Sequence, residues 1–97
     1  MAFIQIVEAR TSNVDALRAL NVEWERATEG KRTSRRSIVT QDRNDPSRYV
    51  IIVFFDSYES AMENSSLPET QEFAAKWGAL VDGPMTFHDL DVLEERP

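Results

Sequence analysis

The stretch RYVIIVFF, residues 48 to 55, sets seven aromatic or branched side chains in a row behind one arginine. A strand sends alternate side chains to opposite faces, so a half-wet strand interleaves polar residues, and this one does not. Tyr49, Ile51, Val53 and Phe55 hold one parity and Val50, Ile52 and Phe54 the other, and both call for burial. FIQIVEAR, residues 3 to 10, repeats the message, with Phe3 and Val7 opposed to Ile4 and Ile6. The pattern then changes period. After TSN, the residues Val14, Leu17, Leu20, Trp24 and Ala27 recur at helical spacing, with Ser12 or Asn13 placed to cap the start and Gly30 to close the end. Trp24 reads as core on that spacing. RTSRRSIVTQ, 32 to 41, reads as a more polar strand, and the turn residues of DRNDPS join it to 48–55 as a hairpin.

Beyond Phe55 the signals are helical. Asp56 or Ser57 can cap a short helix through YESAMEN, with Glu59 at the capping-box distance from Asp56 and with Tyr58, Ala61 and Met62 on its inner side. A second helix starts at Pro68, carries Glu69 and Glu72 near its positive end, and places Thr70, Phe73, Ala74, Trp77, Leu80 and Val81 on one face before Gly83-Pro84 stops it. Gly78, inside that helix, implies either a close backbone approach or a tolerated weakness. MTFHDLDVLEE reads as a last strand. The predicted order is β-α-β-β-α(α)-β over a single domain, residues 1–97. That is an α+β, ferredoxin-like split β-α-β arrangement, a four-stranded antiparallel sheet with helices on one face. The doubly apolar strands leave the bare face unexplained in a monomer, and a second copy packed sheet to sheet covers it.

Charge narrows the partners. Seventeen acidic against 11 basic side chains give a formal charge of −6, which opposes non-specific attraction to nucleic acid or an anionic membrane. There is no cysteine, which removes disulfides, thiol nucleophiles and thiolate metal sites, and makes the cytoplasm the expected compartment. MAFIQIVEART lacks a basic region and a long enough apolar run for a signal peptide, and nothing approaches a transmembrane length.

The element order, the apolar third strand entering FFDSYESAMENSSLPETQEFAAKW and the closing DGPMTFHDLDVLEE together resemble the antibiotic biosynthesis monooxygenase-like family of dimeric α+β barrels, over essentially the whole chain. The resemblance implies a homodimer with one pocket per subunit between sheet and helices. It spans cofactor-free oxygenases of aromatic polyketides, quinol-type monooxygenases, haem-degrading enzymes and proteins of no assigned activity. The haem-degrading pattern of Asn, Trp and axial His falls near Val7, Asn64 and Phe73, and none of the three matches.

His88, the only histidine, and Arg36, in phase with Ile38, are the candidate catalytic groups, the first as a base and the second as a cation directed into the pocket. The competing readings are an interface or core histidine and an edge-guarding basic cluster, Lys31, Arg32, Arg35 and Arg36. Asp89 and Asp91 share a parity and read as the wet side of the last strand; no metal site is expected. Tyr58, Asn64, Phe73 and Trp77 are the candidate substrate-binding residues, from the segments that roof the pocket. No P-loop, dinucleotide, G-x-S-x-G or H-E-x-x-H pattern occurs, and no cofactor is expected. Two functions stay open. One is a cofactor-independent monooxygenase acting on a small aromatic, quinone or polyketide-type compound; the other is a non-catalytic dimeric module that binds a small ligand or a partner.

Overall fold

The computed structural model describes residues 2–97. Its elements are β1 (Phe3–Arg10), α1 (Val14–Ala27), β2 (Arg36–Gln41), β3 (Arg48–Phe55), α2 (Tyr58–Ser66), α3 (Pro68–Leu80) and β4 (Thr86–Asp91). The strands form one antiparallel sheet in the order β2-β3-β1-β4. This is the α+β, ferredoxin-like arrangement that the order of elements implies.

Register decides what each face carries. Phe3 pairs with Phe55, Gln5 with Val53, Val7 with Ile51 and Ala9 with Tyr49, so this parity of the two central strands lies under the helices. Leu17 and Leu20 of α1 and Trp77 of α3 join Val7, Ala9, Tyr49 and Ile51 in the main core. A smaller cluster of Phe3, Phe55 and Ala61 seats α2 at the other end. The opposite parity, Ile4, Ile6, Val50, Ile52 and Phe54, forms the outer face, and Ile38 and Leu90 extend it onto the edge strands. That face has no helix over it.

The caps sharpen the sequence reading. Asn13 caps α1, its side chain accepting from the Ala16 N–H. Ser57, rather than Asp56, caps α2 by accepting from the Ser60 N–H, because Asp56 is engaged by Arg35, whose Nε donates to it at 2.9 Å. Pro68 opens α3 at its first turn, where its missing N–H costs nothing. Gly30 and Gly83 take positive φ, 83° and 85°, at the exits of α1 and α3. β2 begins at Arg36, four residues later than the pattern implied. Arg32 and Thr33 are held by side-chain contacts to α1 and α2, although the Arg35 N–H still donates to the Phe54 carbonyl at 2.7 Å. β4 likewise ends at Asp91, although the Val92 N–H still donates to the Ala2 carbonyl. At Gly78 a Cβ would meet nothing within 4 Å, so no close approach accounts for that glycine.

Candidate functional site

A cavity of about 300 Å³ lies between the sheet and the helices. Its floor is the helix-side parity of the sheet: Gln5 and Val7 of β1, Ser37 and Val39 of β2, Ile51, Val53 and Phe55 of β3, and Phe87 of β4. Trp24 of α1, Phe73 and Trp77 of α3 and Asn64 of α2 supply its roof and walls. Large rings form much of the roof. Trp24 and Phe73 have centroids 5.7 Å apart, and Phe73 and Trp77 6.2 Å, an aromatic row that spans α1 and α3.

Hydrogen bonds fix this frame. The Trp24 indole Nε1 donates to Thr70 Oγ1 at 3.1 Å and ties α1 to α3. Arg32 lies over the same indole at 5.6 Å, and its Nη1 donates to the Glu25 carbonyl at 2.9 Å. Thr33 joins the loop after α1 to α2 twice, through its hydroxyl to the Ser60 carbonyl at 2.6 Å and its N–H to Asn64 Oδ1 at 3.1 Å. Only an oxygen can accept that N–H, so the Asn64 amide has one orientation. Its Nδ2 makes no hydrogen bond among the described residues, although Asn64 is only 6% exposed and lines the cavity. Trp77 also lines the cavity, and its Nε1 is buried without a hydrogen-bond partner among the described residues. An unmade bond of that kind costs about 1–3 kcal/mol.

The residues singled out from sequence divide between two faces. Asn64, Phe73 and Trp77 stand on the cavity wall. Tyr58 does not: its ring meets Phe3 edge-on at 5.5 Å and the residue is half exposed. Arg36 is in phase with Ile38, but that parity is the outer face, and its guanidinium lies 5.5 Å over the Phe54 ring, away from the cavity. His88 pairs with Ile6 on the same outer face, where its Nε2 is 3.0 Å from Glu8 Oε2. Glu8 also pairs with Arg48, which reaches Asp42 at 2.9 Å. The hydrogen bond with His88, against an opposing desolvation effect and with help from Arg48, holds the Glu8 carboxyl below its usual range.

The basic cluster is spent on structure. Lys31 pairs with Glu69, Arg32 stacks on Trp24, Arg35 pairs with Asp56 and Arg36 covers Phe54. Gln5, Ser37 and Glu25 are cavity residues that the sequence pattern did not mark, whereas Trp24 and Phe87, aromatic residues that could line a pocket under the helices but read chiefly as core, are on its wall. Trp24 sits in the apolar stripe of α1 and so reads as core, while Glu25 sits beside that stripe and reads as solvated. No histidine is on the cavity wall, and Phe73 stands there where the haem-degrading pattern needs its axial imidazole, so these residues do not fit haem held in that way. No group of three or more His, Asp or Glu side chains is arranged to hold a metal ion among the described residues.

No family model matches the chain, and no curated protein matches it. Solved structures do. A candidate antibiotic biosynthesis monooxygenase of Chloroflexus aurantiacus superposes with a TM-score of 0.76 at 25% identity, covering 100% of this chain and 98% of that one. A protein named in the same way from Deinococcus radiodurans gives 0.78 at 17% identity, covering 100% and 97%. The protein Rv0793 of Mycobacterium tuberculosis gives 0.81 at 19% identity and full coverage of both chains. These likenesses span the whole chain: it has the fold of the antibiotic biosynthesis monooxygenase-like proteins.

Proposed function

We propose that the protein is a homodimer, joined through the outer sheet face, that binds one small planar aromatic compound of quinone, hydroquinone or polyketide type in the cavity of each subunit. The proposed reaction is a cofactor-free monooxygenation of the reduced, phenolic form of the ligand: one atom of dioxygen replaces a ring hydrogen and becomes a quinone carbonyl, the phenol is oxidised to the other carbonyl, and the second oxygen atom leaves as water with the two hydrogens the ligand loses. The observation that carries this reading is the cavity itself, roofed by the aromatic row of Trp24, Phe73 and Trp77 and offering the unpartnered Asn64 amide to a ligand oxygen. Flat rings bury broad apolar area against such a roof, and a donor in a water-poor pocket stabilises charge that develops on an oxygen more strongly than water does. The neighbours' names support the reaction class, since those in Chloroflexus and Deinococcus are called candidate antibiotic biosynthesis monooxygenases.

In this reading Asn64 orients the ligand oxygen, Phe73 and Trp77 stack on its rings and exclude water, and Arg36 and His88 belong to the dimer face. The test is oxygen uptake with a panel of hydroquinones and polyketide-like phenols. Saturable turnover lost in Asn64→Ala and Trp77→Ala, and retained in a His88→Ala variant that is still dimeric, is the expected result. One observation favours a second reading, a ligand-binding module without turnover: among the cavity-lining residues only Glu25 is ionisable. Ligand binding without oxygen uptake across the whole panel selects it.

A further inference from the structure

We infer that Glu25 sets the charge specificity of the cavity, accepting a hydroxyl of an uncharged ligand and turning away anionic ones. The inference rests on the cavity being the ligand site. Glu25 lies on α1 one residue past Trp24, and with Asn21 and Trp24 it forms the i, i+3, i+4 face that this helix turns to the cavity. Among the described residues it is the sole ionisable one of the lining. Its carboxylate has neither a hydrogen bond nor an ion pair among the described residues; only its backbone carbonyl is used, by Arg32. The guanidinium of Arg32 is itself engaged by that carbonyl, by Thr28 Oγ1 at 3.3 Å and by the Trp24 ring. The carboxylate is therefore free to accept, and among the described residues the lining holds no cation, Arg32 lying next to Glu25 but outside it.

Asn64 supplies the complement. Its amide presents donors, and Glu25 presents an acceptor, so the two polar ends of the lining ask for a ligand that has both an acceptor oxygen and a hydroxyl. A hydroxyl bound to a carboxylate makes a charge-assisted bond, about twice as strong as a neutral one. Glu25 is exposed at the edge of the lining, so an anionic ligand meets its unpaired carboxylate where solvent still screens the repulsion, and the discrimination is modest in size. This separates the inference from a general taste for aromatics, because it gives opposite signs for ligands of one shape.

The test is ligand-observed NMR titration of the wild type and Glu25→Gln with 2-naphthol, its methyl ether and 2-naphthoate at neutral pH. The wild type is expected to bind the naphthol best and the naphthoate worst. In Glu25→Gln the naphthol should weaken about 3- to 10-fold, the naphthoate should strengthen about 3-fold, and the ether should stay the same. A purely structural role for Glu25 would move all three together. Affinities that move together or not at all overturn the inference while leaving the cavity as a ligand site. A wild type that prefers the naphthoate overturns it too, and assigns recognition to Arg32. If none of the three binds either protein, the cavity reading fails, and this inference with it.

Discussion

The Thr33 N–H donates to Asn64 Oδ1 at 3.1 Å, across 31 residues of chain. This contact joins the loop after α1 to α2 and fixes the amide of a residue that lines the cavity. In the proposed reading, structure and recognition share this one side chain. Asn64→Ala should cost about 1–3 kcal/mol, because it leaves a part-buried backbone N–H without a partner. Urea denaturation should show the midpoint falling with the m-value unchanged.

Gly78 gives a prediction of opposite sign. It is helical and exposed, and a Cβ there meets open space. Gly78→Ala should stabilise the protein by about 0.5–1 kcal/mol by removing backbone freedom from the unfolded chain. Thermal unfolding should shift upward by roughly 2–8 °C for a domain of this size.

The sequence singles out both Asn64 and Gly78, although it does not show the Thr33 contact. The doubly apolar β1 and β3 and the 3.6-residue period of α1 and α3 were enough for the fold, because period and chain order restrict a short α+β chain to few solutions. The site was less legible. Arg36 and Ile38 do share a parity, but with Ile38 and Val39 adjacent, β2 carries no phase of its own. Only its pairing with β3 places Ser37 and Val39 under the helices and Arg36 outside. His88 is ambiguous in the same way, since Phe87 and Leu90 fall on opposite faces of β4. Trp24 is open to both readings, because a cavity wall and a core have the same apolar period.

The outer face supplies the third prediction. Ile52 is central on it, opposite Ile6 on one side and Ile38 on the other. Ile52→Lys should abolish the proposed dimer, since a buried unpaired charge at a sheet-to-sheet contact is strongly unfavourable. Sedimentation should show monomer or aggregate in place of dimer. A wild type that sediments as a well-folded monomer at micromolar concentration would remove the dimer from the account.

Acid should destabilise the protein. The hydrogen bonds with His88 and Arg48 depress the Glu8 carboxyl, a backbone hydrogen bond from Asn44 and then Arg48 depress Asp42, and Arg10 depresses Asp45. A group whose folded-state pKa lies below its unfolded value stabilises the fold above the ordinary carboxylate range and loses that contribution as pH falls through the folded-state value. The urea midpoint should hold near neutrality and drop as pH falls below about 5. Asp45→Asn should make that drop shallower.

The most direct test of the central claim, that the cavity under the helices is the ligand site, is a map of amide chemical-shift changes on titration with 2-naphthol. The account predicts saturable shifts concentrated at Asn64, Phe73, Trp77 and Trp24, with the outer-face residues Ile6, Ile52 and His88 unmoved. Shifts concentrated on the outer face, or no saturable shift at any residue, would contradict it.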